Sequence, residues 1–223
     1  MGDGKAMINI LYEDNHLLVV QKPINIPVQA DVSKDIDLLT ILKEYIKEKY
    51  HKEGNVYLGL VHRLDRPVGG IMVFAKTSKC ASRLSNQIQN HQFSKIYYAI
   101  VEGKKLLKTD AFKDNLLKDT HKNIVEVSPL GKEAELTYER IAVKENYTLV
   151  KINLKTGRSH QIRVQFSSRN FPLFGDQKYN KQAKKGQQIA LFAGELSFHH
   201  PITKELLTFT LPLPMQYPFS LFK

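Results

Sequence analysis

The segment His62-Arg63-Leu64-Asp65-Arg66 sets one carboxylate among two guanidinium groups, and the following Pro67-Val68-Gly69-Gly70 permits a sharp bend. Neighbouring cations favour the ionised form of an acid, and an ionised carboxylate is what attack at a sugar or base carbon requires. Asp65 is therefore a candidate nucleophile. The bland reading is a surface aspartate paired with arginine in a turn, a common fate of such a pair.

A second dense segment is Gly157-Arg158-Ser159-His160-Gln161-Ile162-Arg163. Ser159 at a helix start would leave backbone N–H groups for an anion, while Arg158 and Arg163 could bind phosphate or pair with a carboxylate. The competing reading is a capped helix with solvated basic residues. In the third segment, Lys95-Ile96-Tyr97-Tyr98-Ala99, a strand tyrosine could offer its ring to a base, although an aromatic strand residue is more often core.

The elements that must carry these groups follow from apolar spacing. Ile8 to Tyr12 and Leu17 to Val20 predict a hairpin around Glu13-Asp14-Asn15. Leu38, Leu39, Leu42, Tyr45 and Ile46, behind the possible caps Asp35 and Asp37, predict an amphipathic helix over residues 38–49. The run Ile71 to Ala75 reads as a buried central strand, so the Asp65 segment is a loop between strands. Thr77 or Ser78 can cap a helix with Ala81, Leu84 and Ile88 on one face, and Lys95 to Gly103 alternates as a strand that puts Tyr97, Ala99 and Val101 together.

Residues 104–131 are polar and Lys-rich and read as irregular strands and loops. Glu133 to Val143 and Tyr147 to Lys155 predict a hairpin through Glu145-Asn146, followed by a helix from about Ser159 to Arg169. Ile189 to Phe198 and Glu205 to Leu211 complete the strands.

Composition bounds the partners. Lys and Arg number 33 against 22 Asp and Glu, a formal charge of +11 that attracts polyanions, nucleic acid foremost. The single cysteine, Cys80, allows no internal disulfide and suits a reducing compartment, the cytoplasm by default. Met1 to Met7 hold no apolar stretch of signal-peptide length, and no later run nears the roughly 18 residues of a membrane span. His62 and Asp65 could share an ion with His199 or His200, but no H-E-x-x-H or paired-cysteine spacing supports a metal site. Gly69-Gly70 lacks both the Lys-Ser/Thr ending of a P-loop and the order of a dinucleotide motif, so no nucleotide cofactor is expected.

In order, Leu11-Tyr12-Glu13-Asp14, Val19-Val20-Gln21-Lys22-Pro23, His62-Arg63-Leu64-Asp65, Lys95 to Gly103, Thr156 to Arg163 and Gly175-Asp176 resemble the RluA-type pseudouridine synthases over most of the chain. The resemblance implies an α+β fold, a mixed, largely antiparallel bifurcated sheet with flanking helices around a central RNA-binding cleft. It implies one catalytic domain over residues 1–223, without room before Leu11 for the small S4 domain of many relatives. Asp65 falls on the catalytic aspartate, Tyr97 on the tyrosine that stacks against the target uracil, and Arg163 on the arginine that pairs with the aspartate. Arg63 matches the arginine that enters the RNA stack when the uridine leaves it, and Ile162 an apolar position of the base pocket. His62, Arg66, Arg158, His160 and Gln161 are carried over as further RNA contacts. Where relatives often have Thr-Ser-Gly this chain has Val68-Gly69-Gly70, and where they often have histidine it has Phe192.

The implied reaction breaks the N1–C1′ bond of a uridine in ribosomal or transfer RNA, turns the uracil and rejoins it through C5, so a detached base must be held throughout. Asp65 can attack C1′, act on the base, or assist loss of a ribose proton; these routes stay open. A catalytically silent RNA-binding protein or chaperone would share the charge but would form no pseudouridine. A hydrolytic glycosidase would want a second carboxylate across the bond, and none stands near Asp65 in sequence. With no exposed apolar stripe, a monomer is the simplest expectation.

Overall fold

A computed structural model describes residues 8–223. The polar start, Met1 to Met7, lies outside the described residues. Among the described residues eleven strands and three α-helices give an α+β fold whose registered strand pairs are antiparallel. The chain divides into two compact units, residues 1–93 with 196–210, and residues 94–195 with 211–223.

In the first unit β1 (Asn9–Glu13) pairs with β2 (Leu17–Lys22), and β2 pairs with β4 (Gly69–Ala75), every residue of which is buried. β3 (Gly59–Leu60) also pairs with β4, and β11 (Leu206–Thr210) pairs with β10 (Leu191–His199). β4 begins two residues before Ile71, because Gly70 is registered opposite Lys22 of β2. Gly70 has φ 132°, and a Cβ on Gly69 would come within 3.2 Å of the Lys22 carbonyl oxygen, so the glycine pair lets β4 start against β2.

Helix α1 (Leu38–Lys49) buries Leu38, Leu42 and Ile46, one residue per turn along a single face. Asp37 is its cap, accepting from Thr40 N at 3.0 Å, and Lys47 and Lys49 sit favourably in the last turn. Thr77 caps α2 (Ser78–Gln89) by accepting from Cys80 N at 3.2 Å. The fully buried side chains of α2 are Cys80 and Leu84, so Cys80 takes the central place that its apolar pattern gave to Ala81.

In the second unit β5 (Ser94–Glu102) pairs with β9 (Tyr147–Leu154), β9 with β8 (Lys132–Lys144), and β8 with β6 (Thr109–Asp119). The expected hairpin between β8 and β9 turns at Glu145, which has φ 53°. The Lys-rich stretch is a correction to the irregular reading: β6 and β7 (Ile124–Val127) form a regular hairpin, and β6 continues the ladder onto β8. On β6 only Phe112 and Leu116 are buried, four residues apart, so most of the strand faces water and shows no two-residue hydrophobic period.

Helix α3 (Gln161–Ser167) is shorter than expected. Ser159 does not cap it: the cap position is His160, in the left-handed region at φ 51°, with no side-chain cap bond. From Gln161 to Phe166 every residue of α3 is buried, polar ones included. Val164 packs with Leu116, Val125 and Ala134, and the rings of Phe112, Tyr138 and Phe166 meet pairwise at 5.0–5.3 Å, so α3 is locked onto the β6–β7–β8 layer.

Candidate active site

Asp65 is half-buried in the bend between β3 and β4, where Val68 N donates to the Asp65 carbonyl at 2.9 Å. Beneath the bend lies Lys22, 1% exposed, whose Nζ donates to the carbonyl oxygens of Pro23 at 2.9 Å, Arg66 at 3.0 Å and Val68 at 2.8 Å. Three acceptors match the three N–H groups of an ammonium and pin the bend on both sides of Pro67. Burial pushes the Lys22 pKa down to about 7, with the Asp65 carboxylate pulling it back up and Arg66 adding to the fall. In the sequence Lys22 marks only the close of a strand; its role here rests on contacts 44 and 46 residues away.

The guanidinium groups beside Asp65 go in different directions. Arg66 binds Ser33 Oγ at 2.8 Å and pairs with Asp35 and, at 3.6 Å, with Asp31. Arg63 is exposed, and among the described residues no hydrogen bond or ion pair holds it. His62 is tied into the sheet: its Nε2 accepts from Val73 N at 3.1 Å, and its ring meets Phe93 edge-on at 5.4 Å. The nitrogen that accepts carries no proton.

His200 uses Nε2 toward Asp14 at 2.8 Å and Nδ1 to accept from Ile202 N and Thr203 N at 3.2 and 3.0 Å. Among the described residues no cluster of three or more His, Cys, Asp or Glu could hold a metal ion.

In the second unit Tyr97 is 7% exposed on β5, opposite Ile152. Its neighbours Tyr98 and Ile100 point to the other face, into the cluster of Leu149, Phe174, Ala190, Phe192 and Phe219. Tyr98, partly buried, packs against that cluster, in which Phe192 is a buried member, while Tyr97 is itself buried on the opposite face. Lys95 shares the Tyr97 face and is 9% exposed.

Arg163 is buried, and its Nε and Nη2 donate to the two oxygens of Asp176 at 2.8 and 2.7 Å. Asp176, also buried, accepts from Lys178 N at 3.0 Å, and Gly175 before it has φ 71° with its Cβ position only 2.2 Å from the Gln188 carbonyl oxygen. Only glycine fits there. The Arg163 guanidinium lies 5.2 Å from the centre of the Tyr179 ring, whose hydroxyl accepts from Val125 N of β7 at 2.8 Å and meets His160 Nδ1 at 2.7 Å. Sequence reasoning assigned no role to Tyr179; its only signal was its position three residues after Gly175-Asp176.

Gln161 and Ile162 are 3% and 4% exposed. The Gln161 amide accepts from Arg158 N and Thr156 Oγ1 and donates to Glu135 O and Gln165, so it fixes the Thr156–Arg158 turn against β8. Arg158 is exposed, with Nε donating to Glu133 O at 2.8 Å.

A sequence profile of the family described as RNA pseudouridylate synthase matches residues 16–168. The chain is 35% identical over 211 residues to a Bacillus subtilis (strain 168) protein named as an uncharacterized RNA pseudouridine synthase, covering 93% of this chain and 69% of that protein. It is 34% identical to ribosomal large subunit pseudouridine synthase C of Buchnera aphidicola subsp. Baizongia pistaciae, covering 92% of this chain and 66% of that protein. It is 33% identical to ribosomal large subunit pseudouridine synthase D of Zymomonas mobilis subsp. mobilis, covering 96% and 72%. The chain therefore spans between 66% and 72% of the length of these relatives. Among solved structures, human RNA pseudouridylate synthase domain containing 4 superposes with a TM-score of 0.80 at 22% identity, covering 96% of this chain and 92% of that one, a likeness of fold. The chain belongs to the RluA-type RNA pseudouridylate synthases, which makes it an isomerase.

Proposed function

We propose that this chain isomerises specific uridines of structured RNA to pseudouridine, with Asp65 as its nucleophile, Tyr97 stacking on the uracil and Arg163 pairing with the Asp65 carboxylate. The RNA is ribosomal in the first instance, because the relatives with named substrates act on the ribosomal large subunit; transfer RNA is the second candidate. Residues 1–223 are read as one catalytic domain with an RNA-binding cleft, working as a monomer in the cytoplasm without a nucleotide cofactor. No helix among the described residues is long and apolar enough to cross a membrane.

The observation that carries the assignment of Asp65 is the bend that holds it. A half-buried carboxylate on a backbone pinned by a buried lysine has a fixed direction of attack, and pre-set geometry of this kind lowers the entropic part of a barrier. Asp176 takes the Nε and Nη2 of Arg163 and so holds its guanidinium in one orientation. To Arg63, which is exposed, falls the filling of the stack that the uridine leaves, and to exposed Arg158 a contact with phosphate.

The deciding experiment is site-resolved pseudouridine mapping of total RNA from cells with and without the gene, followed by assay of the purified protein on the RNA so identified. Asp65→Asn and Asp65→Ala are expected to bind that RNA and to form no product. Product formed by both variants would remove Asp65 from the mechanism, and an unchanged map would remove the activity.

A further inference from the structure

Lys95 stands apart from the other buried charges of the molecule. Lys22 is satisfied by three carbonyl oxygens and Arg163 by a carboxylate, yet no hydrogen-bond acceptor or carboxylate among the described residues serves the Lys95 ammonium, although the residue is only 9% exposed. Burial lowers its pKa, and no opposing partner is present. A largely buried ammonium with no carboxylate or acceptor beside it costs stability, and such a cost is retained where the charge meets a ligand.

Its surroundings indicate the ligand. A Cβ built on Gly157 would lie 3.2 Å from Lys95 Nζ, so the missing side chain at this exposed glycine leaves the ammonium its approach. The next residue, Arg158, is exposed, its Nε held by Glu133 O at 2.8 Å and its two Nη groups without a partner among the described residues. Lys95 also precedes Tyr97 by two positions on the same face of β5, about 7 Å along the strand.

We propose that Lys95, reached past Gly157 and flanked by Arg158, binds a backbone phosphate of the RNA beside the nucleotide whose base stacks on Tyr97. A compact ammonium suits a single phosphate oxygen, while the guanidinium fork at the rim adds directional donors. The phosphate supplies the counter-charge the protein omits, so the ammonium is compensated only when RNA is seated. Lys95 is in this sense a substrate-positioning residue, and the proposal rests on the reading of the chain as an enzyme acting on RNA.

The test uses the full chain and an unmodified transcript of ribosomal large-subunit RNA, with the dissociation constant measured across a series of KCl concentrations. For Lys95→Met the log–log salt dependence should become shallower by about 0.7 to 0.9, the contribution of one phosphate contact, and binding at low salt should weaken several-fold. Lys95→Arg should keep the wild-type slope. Gly157→Ala should move in the direction of Lys95→Met, because the added methyl crowds Nζ. The melting temperature of Lys95→Met without RNA should equal or exceed that of the wild type, since an unpaired buried charge has been removed.

A wild-type salt slope for Lys95→Met overturns the phosphate contact. A lowered melting temperature for it also overturns the proposal, by making the ammonium part of the fold. Both readouts are independent of isomerisation, so a wild-type protein that forms no pseudouridine would fail the proposed function while the salt series still decides the role of Lys95.

Discussion

The Nε and Nη2 of Arg163 sit 2.8 and 2.7 Å from the two carboxylate oxygens of Asp176, and both side chains are sealed from water. The pair joins α3 to the loop that follows Gly175, and it orients a guanidinium that reaches its place through a helix only seven residues long. A short helix without a side-chain cap holds its direction poorly alone. The bidentate contact fixes the angle that the helix does not.

Removing one partner should therefore be worse than removing both. Asp176→Ala takes from the buried guanidinium its bidentate partner and should lower stability by about 3–5 kcal/mol, whereas the double replacement Arg163→Met with Asp176→Leu should recover a large part of that loss. Thermal and urea unfolding of the variants measure this. The double variant should still form no pseudouridine, which separates the pair's part in the fold from the part proposed for Arg163 in the reaction.

For Tyr97 the ring and the hydroxyl can be tested apart. Tyr97→Phe keeps the aromatic face and should bind the target RNA as the wild type does, while product forms more slowly if the hydroxyl assists proton transfer. Tyr97→Leu keeps apolar bulk without a stacking face, so it should also lose binding worth about 1–3 kcal/mol. Single-turnover rates with separately measured dissociation constants distinguish the two effects.

Much of this arrangement can be read from the chain, and what escapes has a physical pattern. The apolar run of β4 and the stripe of α1 carry their structure in local periodicity, so they emerge directly, as does the bend that presents Asp65. The β6–β7 hairpin does not, because β6 buries just Phe112 and Leu116 among charged neighbours and gains its order from pairing with β8. α3 misleads for the opposite reason: Gln161, Arg163 and Gln165 look like solvated polar residues but are buried, each satisfied by a partner outside the helix. The roles of Lys22, Asp176 and Tyr179 escape as well, since a buried polar contact between residues far apart leaves no periodic trace in the sequence.

The acid stability of the first unit should depend on Glu13. Burial would raise its pKa, but hydrogen bonds from Lys49, Lys76, Tyr50 and Tyr45 outweigh burial and bring it from 4.5 down to about 2. With the folded value below the unfolded one, the unfolded chain binds more protons between these limits. The stabilisation is thus complete above about pH 4.5 and is lost as pH falls toward 2. Glu13→Gln should flatten the acid limb of a stability-versus-pH curve in that window, with the loss relative to wild type greatest near neutral pH.

The bend beneath Asp65 gives the sharpest separation of positioning from chemistry. Lys22→Met fits an apolar chain of similar length into the same space but leaves the carbonyl oxygens of Pro23, Arg66 and Val68 without their donor. Each unsatisfied buried acceptor costs about 1–3 kcal/mol unless water reaches it, so unfolding should show a clear loss of stability. The released Arg66–Val68 backbone lets the Asp65 carboxylate wander, and the turnover rate should fall by far more than RNA affinity, because Lys22 is buried beneath the bend and offers RNA no surface. A variant that loses affinity and keeps its turnover rate would mean instead that the Lys22 charge acts on the RNA through the bend, and that the hydrogen bonds to the three carbonyl oxygens are incidental to catalysis.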